Sequence, residues 1–207
     1  MGYRGILDEL LARASQGDRS ALGELLDQHR NRLLLMVRMR LDQRLQARVD
    51  PSDVIQEAYL EAAERFDKYR GDPVMPFFLW LRFITAQKLL VIHRHHLGVQ
   101  MRDAGRENSL YRGKIPEASS AALAAQLIGN QTTPSQAAIR AEMQANLKQA
   151  LERLDPLDRE VISMRHFEQL SNREAAQVLD LSESTASQRY GQALLKLKEI
   201  LADFQAN

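Results

Sequence analysis

The sequence predicts an all-α protein, with two small helical domains joined by a flexible linker and a helix-turn-helix as the C-terminal domain. Apolar residues recur at three- and four-residue intervals through most of the 207 residues, where strands would alternate. The Asn-Gly, Asp-Gly and Gly-Gly turn dipeptides that close β-hairpins are missing between these stretches. From residue 108 to 133 the composition shifts to Ser, Ala, Gly, Gln and Thr, with Pro116 and few large apolar anchors, the character of an interdomain linker. The predicted division is therefore residues 1–107, a linker over 108–133, and residues 134–207.

A first short helix is predicted over Gly5 to Ala14. Ser20 opens a long helix that turns Leu22, Leu25, Leu26, Leu33, Val37 and Leu41 inward. Asp50-Pro51-Ser52-Asp53 is a helix start, with a capping aspartate, proline at the first helical position and an acid in the first turn. The helix that follows aligns Val54, Ile55, Ala58, Tyr59, Ala62 and Phe66, and stops near Arg70-Gly71. Past Pro73 and Pro76, another runs from Phe77 through Leu81, Ile84, Leu89 and Ile92 to Leu97-Gly98. Ala121 to Ile128 can form a turn or two of helix within the linker. Thr133-Pro134 starts a helix that reaches Leu154, and Asp155-Pro156 stops it and caps the next, which runs to about Phe167.

The motif with most information follows. Ser171-Asn172-Arg173-Glu174 is a capping box, with serine at the cap and glutamate three residues on. Its helix ends near Leu179-Asp180-Leu181, where Asp180 tolerates the left-handed conformation of a tight interhelical turn. Ser182 caps the next helix, which carries Ala186, Tyr190, Leu194, Leu197 and Leu201 at three-to-four spacing. Small Ala175 and Ala176 allow a close crossing. Two short helices joined in this way are a helix-turn-helix, whose second helix offers its N-terminal part to the major groove. Ser184, Thr185, Ser187, Gln188 and Arg189 lie off the inward stripe, and their hydroxyl, amide and guanidinium groups suit base edges and phosphates. Two assignments stay open: Thr185 can serve the helix cap instead, and Arg189 borders the inward stripe and can meet phosphate instead of a base.

Composition narrows the function. Apolar residues make up 44%, enough for packed cores. Cysteine is absent, which excludes a disulfide scaffold, a thiolate zinc site and a cysteine nucleophile. Met1 to Arg19 lacks the apolar stretch of a signal peptide, and no apolar run is long enough to span a bilayer. These features predict a cytoplasmic chain without membrane insertion. Net charge is only +1, but it is unevenly spread. Residues 50–72 hold seven acids against three bases, and residues 82–114 hold seven bases against two acids. The choice is between two different partners for one domain and ordinary solvated helix faces.

Two separate segments resemble one family. Asp50-Pro51-Ser52-Asp53-Val54-Ile55-Gln56-Glu57, followed by Phe66-Asp67-Lys68-Tyr69-Arg70-Gly71, resembles the second region of sigma-70 family transcription-initiation factors. Phe77 to His96, with Trp80-Leu81, is similar to the helix that follows there. Leu154-Asp155-Pro156-Leu157-Asp158-Arg159-Glu160-Val161 and the helix-turn-helix up to Leu201 resemble the fourth region. Only these two regions are present, the layout of the extracytoplasmic-function subgroup. The sequence departs from the family at Ala86-Gln87, where an Arg-Asn pair is usual, at Val91, where Asp is usual, and at Asp180, where Gly is common. Gly191, inside the recognition helix, is a further oddity, costing about 1 kcal/mol relative to alanine.

The resemblance implies a sigma factor, which binds core RNA polymerase, directs it to specific promoters and helps melt promoter DNA. Its partners would be core RNA polymerase, promoter DNA and an anti-sigma protein. By the same resemblance, Asp53, Gln56, Glu57 and Glu61 face the polymerase clamp, although Asp53 can equally serve as a helix-capping residue. Arg82, Lys88, Arg94, His95, His96, Arg102 and Arg106 face the melted promoter. Trp80 and Phe83 either stack on bases or belong to the core. The polymerase supplies the chemistry, so the chain is predicted to be no enzyme and to need no cofactor.

Two other readings compete. His93, His95 and His96 with Asp103 suggest a metal site, but no ligand motif of the His-Glu-x-x-His kind supports one, and no phosphate loop or nucleophile signature appears. A stand-alone helix-turn-helix regulator would need an apolar face or a pocket in its first domain.

Overall fold

The computed structural model describes residues 3–97, 115–128 and 137–206, and no strand occurs among them. The helices are α1 (Tyr3–Ser15), α2 (Arg19–Gln28), α3 (Arg30–Arg40), α4 (Pro51–Gly71), α5 (Phe77–Leu97), α6 (Ser120–Ile128), α7 (Ala137–Glu152), α8 (Pro156–Ile162), α9 (Asn172–Leu179) and α10 (Glu183–Ala206). A single π-helical turn, Ser163–Phe167, extends α8. The chain divides into two compact units, Met1–Val37 with Gln43–Ala104, and Arg38–Asp42 with Gly105–Asn207.

In the first unit α1 packs on α2, and α4 on α5. Asp50 caps α4 through Ser52 N–H at 2.7 Å, and Pro51 takes the first helical position, where a missing N–H costs nothing. Val54, Ile55, Ala58, Ala62 and Phe66 of α4 are all buried, as are Leu81, Ile84 and Leu89 of its packing partner α5. The helix expected to open at Ser20 and run through Leu41 is instead two. Asp18 is the cap, accepting from Ala21 N–H at 3.0 Å. The helix breaks at His29, which is buried with its ring 5.8 Å from Phe77 and 5.1 Å from Phe78. Neither proline nor glycine marks that break; tertiary packing makes it.

The second unit is built on α6 to α10. Part of the segment expected to be a linker is packed: α6 lies against α7, with Leu123 and Ala124 wholly buried. Arg40, one of the residues Arg38–Asp42 assigned to this unit, is buried and pairs with Glu160 at 2.6 Å and Glu168 at 2.7 Å. Burial pulls its guanidinium pKa down, but the two carboxylates more than offset this, so the ion stays charged. The π-turn directs Glu168 inward. Its N–H donates to Ser163 O at 3.1 Å, five residues back, and its carboxylate lies 3.4 Å from Ser163 Oγ.

Candidate functional site

The helix-turn-helix forms from local hydrogen bonds the sequence prescribes. Ser171 Oγ accepts from Glu174 N–H at 3.2 Å, and the Glu174 carboxylate accepts from Ser171 N–H at 2.7 Å, closing the capping box. Asp180 ends α9 in the left-handed region, with φ 55° and ψ 47°. The next N–H, of Leu181, returns to Ala176 O at 2.9 Å, satisfying an end carbonyl. Ser182 Oγ accepts from Thr185 N–H at 3.1 Å and starts α10. Asn172 Nδ2 donates to Glu183 O at 2.6 Å, tying the start of one helix to the start of the other. Ala175, Ala176 and Ala186 are all buried where the helices cross, so the backbones approach closely.

This geometry sorts the five residues expected to read DNA. Ser184, Ser187 and Gln188 are exposed on the first two turns of α10. Thr185 is half-buried, with its hydroxyl 2.7 Å from Ser182 Oγ, so it belongs to the cap. Arg189 turns aside: its Nη1 lies 2.8 Å from Asp158 Oδ1 and 3.9 Å from Asp155. Lys196, two turns on, places Nζ 3.2 Å from Asp158 Oδ2. The Asp158 side chain is 3% exposed, and it was absent from the sequence-derived site. Nothing local announces it, because its partners lie 31 and 38 residues away.

In the first unit, Asp53, Gln56 and Glu57 are exposed along α4, in line with Leu60, which is 68% exposed, and with Glu64. An aliphatic side chain left in water within an acidic stripe was not among the expected residues. Glu61 lies at the edge of this stripe and is already engaged, by Lys88 of α5 at 2.6 Å and by Arg65 one turn on. The basic residues divide as well. Arg82 is buried at 2% exposure and does not join Arg94, His95 and His96, which are exposed at the end of α5. Arg102 and Arg106, like Asp103, lie outside the described residues. Trp80 stacks on Tyr69 at 4.6 Å beside Phe66 and Phe77, so it serves the core.

Among the described residues, no group of three or more His, Asp or Glu side chains is placed to hold a metal ion. No described helix is long and apolar enough to cross a membrane.

Residues 144–197 match the family described as Sigma-70, region 4. The "ECF RNA polymerase sigma factor SigD" of Mycobacterium tuberculosis is 29% identical over 93% of this chain and 82% of its own length. "RNA polymerase sigma factor NccH" of Alcaligenes xylosoxydans xylosoxydans is 30% identical over 96% of this chain and 97% of that protein. A solved structure of CnrH in complex with the cytosolic domain of CnrY matches 94% of this chain and 96% of that one, at 26% identity and a TM-score of 0.54.

Proposed function

We propose, starting from the fact that this chain belongs to the sigma-70 family of RNA polymerase sigma factors and to its extracytoplasmic-function subgroup, a division of labour among its residues. As a sigma factor it directs RNA polymerase to promoters. Residues 1–107 bind the core enzyme and the melted promoter, residues 108–133 connect, with α6 docked on α7, and residues 134–207 read the upstream promoter element.

The observation that carries the DNA-reading role is the exposure of Ser184, Ser187 and Gln188 on a second helix whose start and turn are fixed by hydrogen bonds and whose crossing is packed on small alanines. Glutamine pairs bidentately with adenine, and the serine hydroxyls pair with either base edges or phosphates. Core binding falls to the α4 stripe of Asp53, Gln56 and Glu57, with Leu60 at its centre. An apolar residue ringed by charge resembles the composition of an interface core with a polar rim. Arg94, with His95 and His96 beside it at the end of α5, meets the separated strand, where phosphate neutralisation drives binding, and the same role falls to Arg102 and Arg106, which lie outside the described residues. The chain works in the cytoplasm, where the core enzyme is. An anti-sigma protein is a further partner, supported by the likeness to CnrH, which was solved bound to CnrY.

The test is reconstitution. Purified chain should co-elute with core polymerase and confer promoter-specific transcription, and Gln188→Ala should relax preference at one or two upstream positions. DNA binding that needs no core enzyme, with no transcription conferred, would instead identify a stand-alone regulator.

A further inference from the structure

The packing of α10 leaves its rotation poorly defined by apolar contacts. The buried positions along its middle are Ala186, Ala193 and Leu197, two of which present only a methyl group, and the larger Tyr190 between them is only half-buried, with Arg165 5.5 Å from its ring centre. A smooth contact of this kind resists rotation about the helix axis weakly. The directional contacts are polar: Asn172 holds the first turn through Glu183 O, and further along Asp158 holds the side-chain face. Asp158, in the first turn of α8, divides its oxygens between Arg189 and Lys196, at 2.8 Å and 3.2 Å. At about 100° per residue, side chains seven apart lie only about 20° apart around a helix, so one carboxylate can hold both. The carboxylate itself is held in place, because Asp155 caps α8 through Leu157 N–H at 2.9 Å and Pro156 follows it.

We propose that Asp158 is a positioning residue for promoter reading: it fixes the rotation of α10 and withholds Arg189 and Lys196 from the DNA backbone. Preference is thereby left to Ser184, Ser187 and Gln188, a step that rests on the reading of that face given above. The lever is short but sufficient. A rotation of about 20° carries side-chain tips, about 5–6 Å from the helix axis, through about 2 Å. Hydrogen bonds to base edges tolerate a few tenths of that. The charge effect runs alongside. Arg189 and Lys196 side chains are 36% and 55% exposed, so once released from Asp158 both can reach solvent and phosphate. Phosphate contacts add affinity without sequence information, so freeing two cations strengthens binding to any duplex and dilutes discrimination.

The experiment uses the full chain bound to core polymerase. Four proteins are compared: wild type, Asp158→Asn, Asp158→Asn combined with Arg189→Gln and Lys196→Gln, and Gln188→Ala. Binding-site selection gives base preference, and titration against salt on a selected promoter and on a scrambled duplex gives the number of phosphates engaged. Asp158→Asn should bind the scrambled duplex more tightly, steepen the log–log salt slope by up to about 1.8 for two new phosphate contacts, and lose about tenfold or more in discrimination. The triple variant should return to the wild-type slope but not to the wild-type preference. Wild-type preference and slope in Asp158→Asn would overturn the proposal. So would a parallel loss of specific and non-specific binding that follows a lowered melting temperature, the mark of a residue that only stabilises. The triple variant leaves no cation unpaired beside position 158, so it carries the preference arm even where Asp158→Asn fails to fold, and wild-type preference in it also overturns the proposal. An unchanged preference in Gln188→Ala removes the base-reading role of that face, a failure distinct from an unchanged Asp158→Asn.

Discussion

Tyr69 shows how one side chain couples a turn to a core. Its hydroxyl donates to Met75 O at 3.0 Å, closing the connection between α4 and α5, while its ring stacks on Trp80. Burial pushes its pKa up to about 12. The neutral phenol is the form the fold accepts, so its contribution is complete below the unfolded value of about 10. That contribution is lost as pH rises from there through the folded value. Wild type should therefore lose stability more steeply than Tyr69→Phe between about pH 10 and 12. Denaturant midpoints measured across that window check this, and parallel curves for the two proteins would show that Tyr69 ionises without cost to the fold. Residue-level chemistry of this kind was not legible in the sequence. Tyr69 there was one letter in a motif, and only the packing of Phe66, Phe77 and Trp80 around it shows why its proton is hard to remove.

At the scale of the helix, the exposed middle of α10 contains a weak point. Gly191 has helical geometry, and a Cβ built on it meets nothing within 4 Å. Glycine at such a position loses about 1 kcal/mol to alanine, because its backbone gives up more freedom on folding. Gly191→Ala should thus stabilise the free protein by about that amount, read as a raised melting temperature or denaturant midpoint. No change would mean that α10 is already frayed at Gly191 before the protein unfolds. Helix limits in this chain are set mostly by contacts within four residues. Asp50-Pro51, Asp155-Pro156, the Ser171–Glu174 box, Asp180 and Ser182 all act where the sequence placed them. What local reading missed was set at a distance. The break at His29 comes from two phenylalanines of α5, and α6 acquires its packed face from α7, in a stretch whose Ser and Ala content resembles a linker. The candidate site divides in the same way. The exposure of Ser184, Ser187 and Gln188 follows from helix phase alone, whereas the engagement of Glu61 by Lys88 and of Arg189 by Asp158 depends on pairs brought together only by folding.

At the scale of the whole molecule, a net charge of +1 conceals an acidic stretch and a basic stretch that are adjacent in sequence. The Glu61–Lys88 pair, at 2.6 Å, joins the two blocks within the first unit and determines which acids remain available to a partner. Reversing Glu61 would set it against both Lys88 and Arg65, so a loss of binding would report damage to the fold. The informative variant leaves Glu61 alone and combines Glu57→Lys with Glu64→Lys, two exposed positions flanking Leu60. Surface changes of this kind leave stability within about 0.5 kcal/mol. Across a desolvated interface, charge reversal costs about 2 kcal/mol or more, which is over tenfold in affinity. Affinity for core polymerase should therefore fall at least tenfold while the melting temperature holds, and Leu60→Ser should weaken binding without altering its salt dependence. Undiminished affinity in the double reversal would remove the α4 stripe from the polymerase interface. A loss that disappears at high salt would place the two glutamates at the rim, where screened pairs contribute little, and would leave Leu60 as the anchor.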